Sequence, residues 1–230
     1  MKKFNKLDEA KAPDGTVLTL YEHDGEFVIR IGSVELMSTR RHQSEEQLGE
    51  LVCRPLAEVP GARVLIGGLG LGFTLVAALR VLGGDAQVVV AEIVARVIDW
   101  NRNPAYAFAS SAIDDPRVDV RPADVMDVIR ENPGGFDAIM LDVDNGAESL
   151  TTKGNAALYH DDGIQRSLAA LRPNGALAYW SADGDPRFLR ALRRANLRVE
   201  AIDVPIYPGA KTHYTLFIAR SSTRTKERAG

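Results

Sequence analysis

From Arg63 onward the chain keeps one rhythm, and that rhythm limits its fold more than any other feature. Short apolar runs at Val64–Ile66, Val88–Val90, Val118–Val120, Ala138–Leu141 and Ala176–Trp180 alternate with stretches of helical character. The helical stretches are Thr74–Leu82, Val94–Asn101, Val125–Arg130 and Ile164–Leu171. Strands separated by helices of this length predict βαβ units and a parallel sheet covered on both faces. The crossovers are expected to be right-handed. A last helix is expected over Pro186–Ala195, followed by apolar runs at Arg198–Val204 and Tyr214–Ala219 with no helix between them. These two runs predict an antiparallel pair at the sheet edge. The expected class is α/β, a doubly wound, Rossmann-like, mostly parallel sheet whose last strand is antiparallel.

The start of the chain reads differently. Val17–Tyr21, Phe27–Ile31 and Val34–Met37 are rich in β-branched and aromatic residues, and Asp24-Gly25 is a hairpin turn signal between the first two. Three short strands cannot hold a core alone, so this appendage must pack on the main domain or on a second subunit. Ser44-Glu45-Glu46-Gln47 has the pattern of a capping box. Leu48, Leu51, Val52, Leu56 and Val59 then recur at helical spacing. The expected organisation is a small β domain over residues 1–43, a linking helix over 44–61, a Rossmann-like domain over 62–220 and a disordered tail over 221–230.

Composition excludes several classes. Lys and Arg number 28 against 31 Asp and Glu, for a net charge of −3, which argues against a nucleic-acid partner. The single cysteine, Cys53, excludes a disulfide framework and a multi-thiolate metal site, and it is read as a buried core thiol. His23, His42, His160 and His213 show no ligand spacing, so no metal is expected. No apolar run approaches the roughly 20 residues needed to cross a bilayer, so no membrane partner is expected. Asn5, Lys6, Asp8 and Glu9 follow Met1-Lys2-Lys3 where a leader needs an apolar stretch, and a cytoplasmic location is expected.

The candidate site begins at Val64-Leu65-Ile66-Gly67-Gly68-Leu69-Gly70-Leu71-Gly72-Phe73-Thr74: an apolar strand, a turn with Gly68, Gly70 and Gly72, then a helix. Glycines allow such a turn to tighten and its N–H groups to approach a ligand. Glu92 ends the second strand, 20 residues after Gly72. A carboxylate there accepts hydrogen bonds from ribose hydroxyls in related nucleotide sites. Asp124 follows the third strand, and Asp142 ends the fourth. Acids at successive strand ends face one crevice, which predicts a purine-nucleoside site. The Gly-x-Gly-x-Gly spacing differs from the Gly-x-Gly-x-x-Gly of NAD enzymes and fits adenosyl-sulfonium transferases better. Asp142 at the crevice mouth suits an acid that aligns an amine or takes its proton. Asp144 is read either as a second acid there or as a loop cap. Trp100, Tyr106 and Phe108 are read as core or lid packing.

With those residues in place, residues 30–180 resemble the spermidine synthase (polyamine aminopropyltransferase) family, within the class I S-adenosylmethionine-dependent methyltransferase fold. The family's Gly-Gly-Gly-Asp-Gly-Gly followed by a helix aligns without a gap on Gly68–Phe73. Its Val-Glu-Ile-Asp resembles Ala91-Glu92-Ile93-Val94, and its Asp-Pro-Arg-Val and Gly-Asp resemble Asp115–Val118 and Ala123-Asp124. Its Tyr-Asp-Val-Ile-x-x-Asp resembles Phe136–Asp142, and its Gly-Pro-Ala-Glu-Ser-Leu and Leu-Tyr resemble Gly146–Leu150 and Leu158-Tyr159. The resemblance implies Glu92 on ribose, Asp124 near the adenine amino group and Asp142 as the amine-activating acid, with Asp144 and Tyr159 on the substrate side. It implies S-adenosylmethionine or its decarboxylated form as donor and a small amine as acceptor; the short β appendage suggests a homodimer. Three positions depart from the family pattern. Its loop Asp falls on Leu71, its Asp-Ser-Ser-Asp on Asp142-Val143-Asp144-Asn145, and its Tyr-x-Glu on Ser44-Glu45-Glu46. Aminopropyl transfer, methyl transfer on the same scaffold and a non-catalytic nucleoside-binding module all remain open at this point.

Overall fold

The computed structural model describes residues 4–108, 110–143 and 155–221. Seven strands form the main sheet: β5 (Arg63–Gly67), β6 (Gln87–Ala91), β7 (Val118–Arg121), β8 (Phe136–Leu141), β9 (Leu171–Ser181), β10 (Leu197–Pro205) and β11 (His213–Ser221). Their order is β7-β6-β5-β8-β9-β11-β10. β7, β6, β5, β8 and β9 pair in parallel, while β11 runs antiparallel to both neighbours. The fold is therefore the expected doubly wound one, of methyltransferase-like topology. The expected antiparallel pair of β10 and β11 lies at the sheet edge, with the last strand inserted between β9 and β10. Its run Leu216-Phe217-Ile218-Ala219 is buried on both faces, which an edge position would leave half exposed.

Helices α1 (Gln43–Cys53), α2 (Phe73–Val81) and α3 (Ala95–Arg102) cover one face, and α4 (Val125–Glu131), α5 (Asp161–Ala169) and α6 (Pro186–Arg194) the other. The strands alternate accordingly. Val64, Ile66, Val88, Val90, Ala138 and Met140 enter the first core layer; Leu65, Val89, Ala91, Ile139 and Leu141 enter the second.

The N-terminal sheet has four strands rather than the expected three: β1 (Asn5–Lys11), β2 (Val17–His23), β3 (Glu26–Ile31) and β4 (Val34–Ser38), antiparallel in that order. β1 escapes a hydrophobicity reading because it is an edge strand of Asn-Lys-Leu-Asp-Glu-Ala-Lys with only Ala10 buried. It is tied down by Asp8, which accepts from Trp100 Nε1 and Arg96 Nε of α3, each at 2.8 Å. Trp100 is buried, and Tyr106 and Phe108 pack on Phe27 of β3, so these aromatics join the appendage to the main domain.

The expected capping box does not form. Helix α1 starts at Gln43, with His42 at its N-cap and no side-chain cap bond. Ser44 is instead buried and accepts a hydrogen bond from Trp180 Nε1 of β9 at 2.9 Å. The α-helix stops at Cys53 and passes into a tighter turn over Arg54–Leu56, as Pro55 cannot donate into the ladder. Cys53 is fully buried, which pushes its thiol up to about 12, as suits an inert core residue. Among the described residues no helix is long and apolar enough to cross a membrane.

Candidate active site

The parallel register builds the site. Gly67 of β5 is level with Ala91 of β6 and Leu141 of β8, and Ala91 is level with Arg121 of β7. Gly68, Glu92 and Asp142 are therefore each one residue past the paired strands, on one edge. Two backbone bonds hold this alignment: Gly68 N–H donates to Ala91 O at 2.8 Å, and Asp142 N–H donates to Gly67 O at 2.9 Å.

Two glycines of the turn are required by their surroundings. Gly68 has φ +88°, and a Cβ there would lie 2.2 Å from the Asp142 carbonyl oxygen. Gly70 has φ +52°, and a Cβ would lie 2.5 Å from Met37 Sδ of the N-terminal sheet. Gly72 caps the start of α2. The Asn101 amide of α3 donates to Gly70 O at 2.8 Å and so braces the turn from below.

A cleft of about 640 Å³, counting its open mouth, lies over this edge. Gly68, Gly70, Glu92, Asp124 and Asp142 all line it, so five of the expected site residues share one cavity. Ala91, Ile93, Val94, Val97, Ala123 and Val125 make its walls apolar, and Leu18, Ile29, Leu36 and Met37 of the N-terminal sheet roof it. An apolar slot with a few convergent polar groups is the usual form of a small-molecule site.

The acids are set differently. Glu92 is buried at 7% exposure; one carboxylate oxygen accepts from Leu69 N–H at 2.9 Å and the other from Val94 N–H at 2.8 Å. It holds the glycine turn to the entry of α3 while facing the cavity. Asp124 caps α4 by accepting from Met126 N–H at 2.8 Å and also lines the cavity. Asp142 Oδ2 accepts from the Thr74 hydroxyl at 2.7 Å, which fixes the carboxylate at the start of α2.

A second cavity of about 280 Å³, counting its open mouth, lies beside the first. Met37, Gly70 and Asp142 belong to both linings, so the two meet at Asp142. Leu69, Leu71, Gly72 and Phe73 give the smaller one an apolar wall, and Glu45 of α1 supplies a second acid opposite no basic lining residue. Burial pushes the Glu45 carboxyl up to about 8; the Asp142 carboxylate adds to this, and Glu46 adds less. The Ser44 hydroxyl, which donates to Glu45, and a backbone N–H act in the opposite direction.

Not every expected residue joins the site. Tyr159 is buried against Tyr179 and Phe188, its hydroxyl 3.4 Å from Trp180 O, and it lines neither cavity. Asp144 lies outside the described residues. Glu45, Thr74 and Met37 were not singled out for this site by their residue patterns. The signals for Glu45 were the acid pair at the start of α1, which the capping pattern absorbed, and its place at the middle of the family's Tyr-x-Glu. Thr74 and Met37 carried none, because their roles arise only when α2 and β4 meet at the turn. Among the described residues no group of three or more His, Cys, Asp or Glu is placed to hold a metal.

This architecture is shared with solved spermidine synthases. A spermidine synthase in complex with the transition-state analogue AdoDATO aligns with a TM-score of 0.72 and 19% identity, over 95% of this chain and 73% of that one. Spermidine synthase from Thermotoga maritima aligns with a TM-score of 0.73 and 16% identity, over 94% and 72%. A probable spermidine synthase from Corynebacterium glutamicum aligns with a TM-score of 0.62 and 17% identity, over 94% and 80%. The chain thus has the spermidine synthase fold, N-terminal sheet included. Its sequence matches no protein-family model and no curated protein.

Proposed function

We propose that this protein is a transferase of the spermidine synthase type, moving an aminopropyl group from decarboxylated S-adenosylmethionine to a small amine. The observation that carries this reading is the junction of the two cavities at Asp142. The larger takes the nucleoside, with Glu92 toward the ribose and Asp124 toward the base. The smaller takes the chain beyond sulfur. The apolar wall of the smaller cavity suits a propyl chain, and its acids suit an ammonium. The same acids disfavour the carboxylate carried by intact S-adenosylmethionine. The neighbour solved with AdoDATO supports a sulfonium-type donor for this fold.

In this reading the acceptor nitrogen attacks the propyl carbon bonded to sulfur. A C–N bond forms, the C–S bond breaks, and its electron pair returns to sulfur to give 5′-methylthioadenosine. Asp142, held by Thr74, orients the amine and takes the proton that nitrogen sheds. The sulfonium is already an activated leaving group, so alignment and a local negative field are what the protein adds.

Methyl transfer from intact S-adenosylmethionine is the second reading. Leu71 favours it, because it lines the smaller cavity and offers an ammonium nothing. Calorimetry with both donors, followed by mass spectrometry of products from a panel of diamines, separates the two. Tighter binding of the decarboxylated donor and a product heavier by an aminopropyl group are expected. Tight binding of the intact donor alone would exclude aminopropyl transfer, and binding without product from any amine would indicate a nucleoside-binding module.

A further inference from the structure

We propose that the Thr74 hydroxyl serves Asp142 in both of its protonation states, turning between the Asp142 carboxylate and the main-chain carbonyl of Glu45. The inference rests on the transferase reading, in which Asp142 takes the proton of the amine, and it names the residue that accommodates that proton. Thr74 is the second residue of α2, is 3% exposed and lines neither cavity, so it acts through Asp142 and not on a ligand. Its hydroxyl oxygen lies 2.7 Å from Asp142 Oδ2 and 3.3 Å from Glu45 O. A helical threonine commonly turns its hydroxyl back to a carbonyl of its own preceding turn. This one reaches two other elements instead, the residue after β8 and the first turn of α1.

A hydroxyl has one hydrogen to donate and two lone pairs to accept with. Thr74 can therefore donate to only one of these two oxygens at a time. The ionised carboxylate is the nearer and the stronger acceptor, so it holds the hydrogen before transfer. When the amine's proton comes to rest on Oδ2, the carboxyl turns from acceptor to donor. Thr74 Oγ then accepts from it, and the Thr74 hydrogen swings to Glu45 O. Rotation about the Cβ–Oγ bond suffices: no covalent bond at Thr74 forms or breaks, and the proton stays on Asp142. The turn involves Oδ2 alone and leaves any other contact of Asp142 in place. Glu45 O comes within reach because α1 and α2 cross closely at the buried Gly49. A Cβ at Gly49 would lie 2.5 Å from Thr74 O and 2.9 Å from Ala77 Cβ. Glycine weakens a helix interior, and this close crossing is what its presence in α1 provides.

The test is the pH dependence of kcat for Thr74→Val, Thr74→Ala and Thr74→Ser, joined to an infrared measurement that needs no turnover. The two variants without a hydroxyl should lose about 10–150-fold in kcat near pH 7, the worth of a bond to a charged group. Their acid limb should move to higher pH, because the carboxylate has lost a donor. The KM of the donor and the affinity for 5′-methylthioadenosine should stay within about twofold, which also certifies the fold of each variant. Thr74→Ser keeps the hydroxyl and should recover most of the lost kcat. Infrared difference spectra on acidification read the protonated Asp142 carbonyl band, assigned by its loss in Asp142→Asn. That band should lie at higher frequency in Thr74→Val than in the unsubstituted protein, because the acid has lost the oxygen it donates to. Coincident bands, or an unchanged kcat in Thr74→Val and Thr74→Ala, would overturn the role of Thr74 while leaving the transferase reading intact. No product from any amine with the unsubstituted protein would overturn that reading, and the infrared bands would still decide the turn of the hydroxyl.

Discussion

At Glu92 a single carboxylate serves the fold and the cavity together. Its two oxygens close one hydrogen bond each, to Leu69 N–H and Val94 N–H. Glu92→Gln keeps the size but puts an NH₂ against one of those N–H groups. A loss of about 1–3 kcal/mol in stability without any ligand is expected, read from urea unfolding midpoints. A wild-type midpoint would show that the acid matters only to ligand. Gly68 gives a second residue-scale prediction. Gly68→Ala adds a Cβ to a left-handed residue already in contact with the Asp142 carbonyl, and a loss of at least about 1–3 kcal/mol is expected in the same measurement. The strand-end acids were legible because a parallel sheet brings consecutive strand ends to one edge whatever the loops do. Tyr159 was not: Leu158-Tyr159 looked like a site motif, but its apolar partners Tyr179 and Phe188 lie far along the chain and draw the ring into the core.

At the scale of elements, the Asp115-Pro116-Arg117 stretch before β7 has a structural role. Arg117 pairs with Asp115 at 2.8 Å, and its Nη1 donates to the carbonyls of Leu79, Leu82 and Gly83, where α2 ends. Those carbonyls have no partners within the helix. The Arg117 guanidinium holds the Asp115 carboxyl down at about 2, against 3.8 for an ordinary aspartate, with burial opposing it. Because the folded value is depressed, the stabilisation is whole above pH 3.8 and is lost as pH falls toward 2. Asp115→Asn should therefore flatten the acid limb of the stability curve in that window, measured by denaturant unfolding at several pH values. An unchanged acid limb would place the linkage elsewhere. The helices and parallel strands could be read from period and apolar runs alone. The capping box could not, because a local pattern around Ser44 yielded to Trp180, 136 residues away. β1 was invisible for a related reason: a polar edge strand is specified by its partner strand and by Asp8, not by its own hydrophobicity.

Across the whole molecule, the larger cleft belongs to both sheets. Its floor is the edge of the main sheet, and its roof is Leu18, Ile29, Leu36 and Met37. Such a roof is beyond local sequence reading, since only the packing of the appendage on α3 sets it over the glycine turn. A ligand in the cleft should bind both parts as one. At a hundred times its dissociation constant, 5′-methylthioadenosine should add about 2.7 kcal/mol to unfolding. Hydrogen-exchange mass spectrometry should show protection at Gly67–Gly72 and at Phe27–Ile31 together. Protection confined to the first segment would remove the N-terminal sheet from the site.

The backbone bond from Asp142 N–H to Gly67 O has a further meaning for how such a protein can diversify. The acid inherits its position from the spacing of two adjacent strands, not from whatever comes after it. The carboxylate therefore keeps its place over the cavities for as long as β5 and β8 stay in register. Substitutions elsewhere that leave this register alone leave the acid where it stands.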